Sequence, residues 1–257
     1  MIPTLRSIIL AIVGLALTAP CYAITGSRSA PSETIARSIV TVVGAGGVVC
    51  TGTLIAPQIV LTAAHCLNSG PGPGVTTRVV DYSSRPPQLL VTQKALAHPQ
   101  YNAQAMAAHR ATADVALLLL ASPVPGKSPA MLGAPRLPIT PGANFTVAGI
   151  GVTSSSGNDA GTVRAAALTV TGQPGTLQIR LVDPLTQNKT AGMGGCTGDS
   201  GAPAFEDQDG RSVIAGVVGW STGANNSNGC GGLTGVTPLT LYKDWIVQTA
   251  RSWGAGI

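Results

Sequence analysis

Apolar residues fall along this chain in short runs, broken by Gly, Pro, Ser and Thr, and only near the C-terminus at helical spacing. Aliphatic and β-branched runs of this kind predict strands. One set spans 39–43, 48–55, 59–63, 76–82, 89–97 and 115–120. A second spans 144–151, 164–171, 177–182, 202–206, 213–219 and 232–238. Many short strands with frequent turn signals predict an all-β barrel or sandwich. Between the sets, the proline-rich stretch 123–141 reads as a connector without a strand. Over 241–253, Tyr242, Trp245, Ile246 and Thr249 recur at helical spacing and predict a closing α-helix whose tryptophans pack in the core.

The first 23 residues break this pattern. Arg6 precedes an apolar run from Ser7 to Thr18, and Cys21-Tyr22-Ala23 is a small-x-small cleavage site, so residues 1–23 read as a secretory signal. The run is short for a membrane span, and lipid modification of Cys21 is the lesser alternative. Residues 24–257 are then the mature domain, secreted to the extracellular space or periplasm, with no membrane association after signal removal. Of the five cysteines, four remain: Cys50, Cys66, Cys196 and Cys230. They can pair in three ways, and an oxidising compartment favours bridges. Net charge is +5, one unit less without Arg6, and lies in no long basic run, which argues against a nucleic-acid partner. No metal-ligand spacing is present, so neither a metal nor a cofactor is expected.

The candidate chemistry centres on Gly195-Cys196-Thr197-Gly198-Asp199-Ser200-Gly201-Ala202-Pro203. Gly198 and Gly201 permit a tight turn that exposes Ser200, and backbone N–H groups of such a turn can hold an oxyanion. A serine hydroxyl needs a base, and an imidazole base needs an acid to fix its tautomer. Upstream, Leu61-Thr62-Ala63-Ala64-His65-Cys66 supplies His65, and Asp114 runs into the apolar stretch Val115–Leu120. Asp81, Asp159, Asp183, Asp207, Asp209 and Asp244 lie in turn-rich or polar segments, where a solvated carboxylate is the default. The chain order His, Asp, Ser is the one the chymotrypsin-type triad uses.

Together the TAAHC, DVALL and GDSGAP motifs resemble the trypsin/chymotrypsin family of serine proteases, and the resemblance covers nearly all of the chain after residue 23. It implies two antiparallel six-stranded β-barrels, about 24–122 and 142–257 with the closing helix, and the active site in the cleft between them. It implies catalytic His65, Asp114 and Ser200, an oxyanion hole from the N–H groups of Gly198 and Ser200, and bridges Cys50–Cys66 and Cys196–Cys230. Gly194 would form the pocket base beside Gly195, with Gly219, Trp220 and Ser221 along the substrate backbone. No carboxylate waits at Gly194 or Gly195, so a buried Arg or Lys would be unpaired, and small walls suggest an apolar or aromatic preference.

The resemblance also implies that the ammonium of Ile24 pairs with Asp199; in the family a zymogen cut frees that terminus, whereas here the cleavage site after Ala23 predicts that signal removal itself creates it. The alternative is that Ile24 merely begins a strand. Residues 103–112 lengthen the loop before Asp114 and should overhang the cleft. His98 and His109 lie outside any such motif and read as packed or surface histidines. Three features depart from the family pattern: Ala202 and Gly219 replace a customary glycine and serine, and Leu67–Val75 lacks the acids of a calcium loop, so calcium binding there is not expected. The expected protein is a secreted, monomeric serine endopeptidase acting on protein or peptide substrates. The alternatives are a catalytically silent protease-like binding protein and, with the same residues, an esterase.

Overall fold

The computed structural model describes residues 24–25, 31–67, 77–108 and 110–257. The signal segment, His109 and nearly all of the loop after Cys66 lie outside the described residues.

The first sheet contains β1 Ile39–Val43, β2 Val49–Ala56, β3 Ile59–Thr62, β4 Arg78–Asp81, β5 Gln88–Leu90, β6 Thr92–Ala97 and β7 Ala116–Leu120. A four-residue helix, α1 Glu33–Ala36, precedes it, capped by the Ser32 hydroxyl. Strand order is β5-β4-β1-β2-β3-β7-β6, every pair antiparallel. The two edge strands, β5 and β6, are separated in sequence by Val91 alone. They replace the single expected strand 89–97, so the sheet curls until its edges are two halves of one bent segment. All five residues of β7 and all four of β3 are buried on both faces, which explains their unbroken apolar runs.

The second sheet contains β8 Met131–Leu132, β9 Asn144–Gly149, β10 Arg164–Gly172, β11 Ile179–Val182, β12 Pro203–Gln208, β13 Arg211–Ser221 and β14 Thr234–Pro238. Six strands run β12-β9-β10-β11-β14-β13, and an additional β12–β13 pairing closes them into an antiparallel barrel. The connector was expected to hold no strand, yet β8 lies in it and pairs parallel with β13 through Met131 and Leu132. Its backbone adds a seventh strand outside the ring. Between β6 and β7 stands α2 Ala103–Ala107, capped by the Asn102 side chain.

Two apolar clusters follow from these sheets. One fills the second barrel and includes Phe145, Val147, Leu168, Ile179, Leu181 and Ile24. The other fills the first barrel and continues through Phe205, Ile214 and Val217 to Tyr242, Ile246 and Ala250. Those last three belong to or adjoin the C-terminal helix α3 Lys243–Ser252, which packs edge-on against His98 through Tyr242 and Trp245 at ring-centre distances of 5.0 and 4.8 Å. The expected closing helix is therefore a clamp on the first barrel. His98 is buried in that contact, its pKa lowered by burial, and its Nδ1 accepts the Gln100 N–H. It is a packing histidine.

Candidate active site

His65 is presented by a short 3-10 turn, Ala64–Leu67, that leaves the buried strand β3. The Cys50–Cys66 bridge fastens this turn to β2. Asp114 stands just ahead of β7, is 2% exposed, and turns its carboxylate toward the same point. One carboxylate oxygen accepts the His65 backbone N–H at 2.9 Å, and the other lies 2.7 Å from His65 Nδ1. An ionised carboxylate accepts only, so Nδ1 carries the proton and Nε2 keeps its lone pair. The neighbouring Tyr101 phenol has its pKa raised, first by burial and then by the charge of Asp114.

Ser200 sits on the tight turn expected of it. Gly198 and Gly201 adopt φ of +96° and +82°, the left-handed region that favours glycine. A β-carbon at Gly201 would run into Thr51 O and Thr62 Oγ1. Two threonines that sequence reasoning passed over as ordinary strand residues tie this turn to the first barrel. Thr51 donates its backbone N–H to Ser200 O and its hydroxyl to Gly198 O, each at 2.8 Å. Thr62, the last residue of β3, donates its hydroxyl to Thr51 O at 2.8 Å. The serine turn from one barrel is thereby fixed beside the His65 turn of the other. Among the described residues, no hydrogen bond yet joins the Ser200 hydroxyl to His65. The N–H groups of Gly198 and Ser200 have no acceptor among the described residues either.

Asp199 is fully buried. Its oxygens accept the N–H groups of Gly151 and Cys196, each at 2.9 Å. Burial pushes its pKa up to about 7 against these two bonds and the charge of Arg164. Gly149 and Gly151 are obligatory neighbours, because a β-carbon on either would press into the carboxylate. Ile24 is likewise fully buried, and the following Thr25 forms an antiparallel bridge with Gly194, two residues before Cys196. The structure thus brings the start of the expected mature chain to the segment that holds Asp199.

The pocket residues also converge. The Gly195 N–H donates to Thr234 Oγ1 at 2.9 Å, and Gly194 lies against Gly231 beside the Cys196–Cys230 bridge. The walls are closer than small residues alone suggest: a β-carbon on Gly195 would sit 3.3 Å from Ser221 Cβ. Gly219 faces the acid, its β-carbon position 3.2 Å from Asp114 Oδ2. On one side Trp220 and Ser221 pair with Gly235 and Thr234 of β14. On the other side, β12 stops opposite Val217, so among the described residues the edge at Gly219–Ser221 is unpaired.

Two of the other carboxylates depart from the solvated default. Asp81 is buried against Lys127 at 3.4 Å, and Asp183 is buried accepting the Leu185 and Met193 N–H groups. Asp81 is thus ion-paired and Asp183 hydrogen-bonded locally, and neither bonds to His65. Cys50, Cys66 and His65 bring ligand-type atoms within 4.8 Å of one another. Both sulfurs are spent in the bridge, so this cluster offers no thiolate to a metal. Ala202 is buried without disturbing the turn, and its N–H still donates to Asp199 O. No helix among the described residues is long and apolar enough to cross a membrane.

Comparison with known proteins gives a consistent assignment. The family model described as Trypsin matches residues 24–246. Human serine protease 56 is 31% identical over 222 residues, covering 79% of this chain but 35% of the relative. The chain thus spans about a third of that relative's length. A trypsin from Phaedon cochleariae is 30% identical over 211 residues, 77% of each chain. A solved structure of human heparin binding protein superposes with a TM-score of 0.68 at 24% identity, covering 91% of this chain and all of the other. At that identity the likeness speaks for the fold.

Proposed function

This chain belongs to the trypsin family of serine proteases, and from that premise we propose that it is an active endopeptidase using Ser200 as nucleophile. The observation that carries the reading is the Asp114–His65 pair at 2.7 Å, held beside the glycine-framed turn of Ser200 by Thr51 and Thr62. Nε2 of His65 takes the Ser200 hydroxyl proton as the oxygen adds to the scissile carbonyl. The N–H groups of Gly198 and Ser200 receive the negative charge on that carbonyl oxygen. The carbon–nitrogen bond then breaks, and His65 returns the proton to the leaving amine. Water, deprotonated by the same Nε2, releases the acid and restores the serine. Asp114 stays ionised throughout and stabilises the imidazolium.

Substrate enters as an added strand along Gly219–Ser221, whose free edge supports this mode. Its side chain next to the scissile bond is uncharged and apolar, because Gly194 and Gly195 offer no partner to a cation. The approach of Ser221 to Gly195 favours the smaller members of that class over an aromatic ring. The mature chain is secreted and begins at Ile24, whose ammonium neutralises Asp199.

The test is cleavage of an unfolded protein and of a peptide panel by the chain beginning at Ile24, with Ser200→Ala as control. Cleavage lost in the variant, with Ala, Val or Leu preferred over Arg or Lys, is expected. No cleavage by a folded protein overturns the enzyme reading in favour of a silent binding protein. A preference for Arg or Lys overturns only the pocket assignment.

A further inference from the structure

Beside the triad lies a cavity of about 490 Å³ that the mechanism does not use. Its walls come from four places: Met106 of α2 with Arg110 just after it, Gln178 and Arg180 at β11, Trp220 to Thr222 at the end of β13, and the loop 226–229 with Leu233. Two guanidinium groups therefore face one concavity although 70 positions separate them in sequence. Both arginines are exposed, and among the described residues neither side chain has a hydrogen-bond acceptor or an ion-pair partner. No carboxylate lines the cavity. The adjoining crevice contains Asp114, but that side chain is buried and committed to His65. Two like charges converging without a counter-ion describe a site complementary to an anion.

The position of the cavity says which anion. Gly219 lies against Asp114, so it is the part of the free edge nearest the chemistry. A peptide pairing along Gly219, Trp220 and Ser221 moves away from Ser200 at about 3.3 Å per residue. It reaches the cavity, which begins at Trp220 and Ser221, within three or four residues. Resting on the proposed peptidase activity, we propose that Arg110 and Arg180 select peptide substrates with an acidic side chain three or four residues ahead of the scissile bond. Arg110 belongs to the lengthened loop that overhangs the cleft, while Met106 supplies an apolar wall against which the acidic side chain's methylenes pack. Specificity is thereby divided: an uncharged residue at the bond, and an acid farther back.

The experiment compares peptides identical except for Asp, Asn or Lys at the third and at the fourth position ahead of the cleaved bond. It is run with the wild-type chain, Arg110→Gln and Arg180→Gln. Exposed ion pairs are individually weak, and two acting on one carboxylate give an expected Asp-over-Asn ratio in kcat/KM of about 3- to 30-fold. That ratio shrinks in 0.5 M salt and falls toward one in each variant, with Lys the poorest residue throughout. A variant that merely disturbs structure lowers Asp and Asn peptides together and keeps the ratio, which overturns the assignment. So does equal cleavage of all three peptides by the wild type, a result that leaves the peptidase reading intact. Cleavage of no peptide overturns that reading and this inference with it.

Discussion

The N-terminus offers the sharpest quantitative test. Asp199 has an ordinary carboxyl pKa of 3.8 when the chain is unfolded and one of about 7 when folded with peptide still ahead of Ile24. A raised folded pKa means that the folded state holds its proton longer than the unfolded state does. The associated stability is full below pH 3.8 and is lost as pH rises through about 7. The whole shift corresponds to about 4 kcal/mol at 1.36 kcal/mol per unit, of which roughly 2–3 kcal/mol falls between pH 5 and 8. Because Asp199 is fully buried, solvent screening removes little of this. Supplying the ammonium of Ile24 reverses the sign: the carboxylate is favoured, and the loss over that pH range disappears. The assay is urea unfolding at pH 5, 6.5 and 8 of three proteins: one starting at Ile24, one with an alanine ahead of it, and Asp199→Asn in the extended chain. The extended chain should lose stability across the series, while the Ile24 chain and the Asn variant should not. Identical pH profiles for the two starts would refute the ion pair, because the ammonium then never reaches Asp199.

Further outcomes follow from the same geometry. Asp114→Asn keeps the contact with His65 but reverses the donor at Nδ1, so kcat should fall by about 10⁴-fold with KM little changed; a loss below tenfold would remove Asp114 from the triad. Ser221→Gly should widen the pocket wall facing Gly195, raising kcat/KM for Leu and Phe peptides relative to Ala; an unchanged ranking would show that this contact does not set the pocket width. Gly201→Ala should destabilise the fold by more than about 2 kcal/mol, since the left-handed φ and the collision with Thr51 O act together; a melting temperature near wild type would show that the turn relaxes freely.

Much of the architecture was legible because strand and turn residues obey local rules. The uninterrupted run Val115–Leu120 and the short β-branched runs of the second barrel reappear as strands within a residue or two of their expected ends. The split of the strand at Val91 was not legible, because a bend set by barrel closure leaves no mark in a run of strand-forming residues. Nor was β8, whose two residues gain their partner from Val213 and Ile214 of β13, far along the chain. At the site, His65, Asp114 and Ser200 could be named because each sits in a dense local motif. Thr51 and Thr62 could not, since a threonine within a strand is expected whether or not its hydroxyl spans two barrels. Arg110 and Arg180 carry no motif, and only the fold makes them neighbours. Burial of Asp81 was hidden for a similar reason: its neutralising partner, Lys127, lies in the connector.

Activation of one serine is the central claim, and intact mass after reaction with a fluorophosphonate tests it most directly. One adduct is expected on the protein starting at Ile24, located on Ser200, slowed by Asp114→Asn and absent in Ser200→Ala. A folded protein that takes up no reagent, or that takes it up equally in Ser200→Ala, would show that Ser200 is not an activated nucleophile.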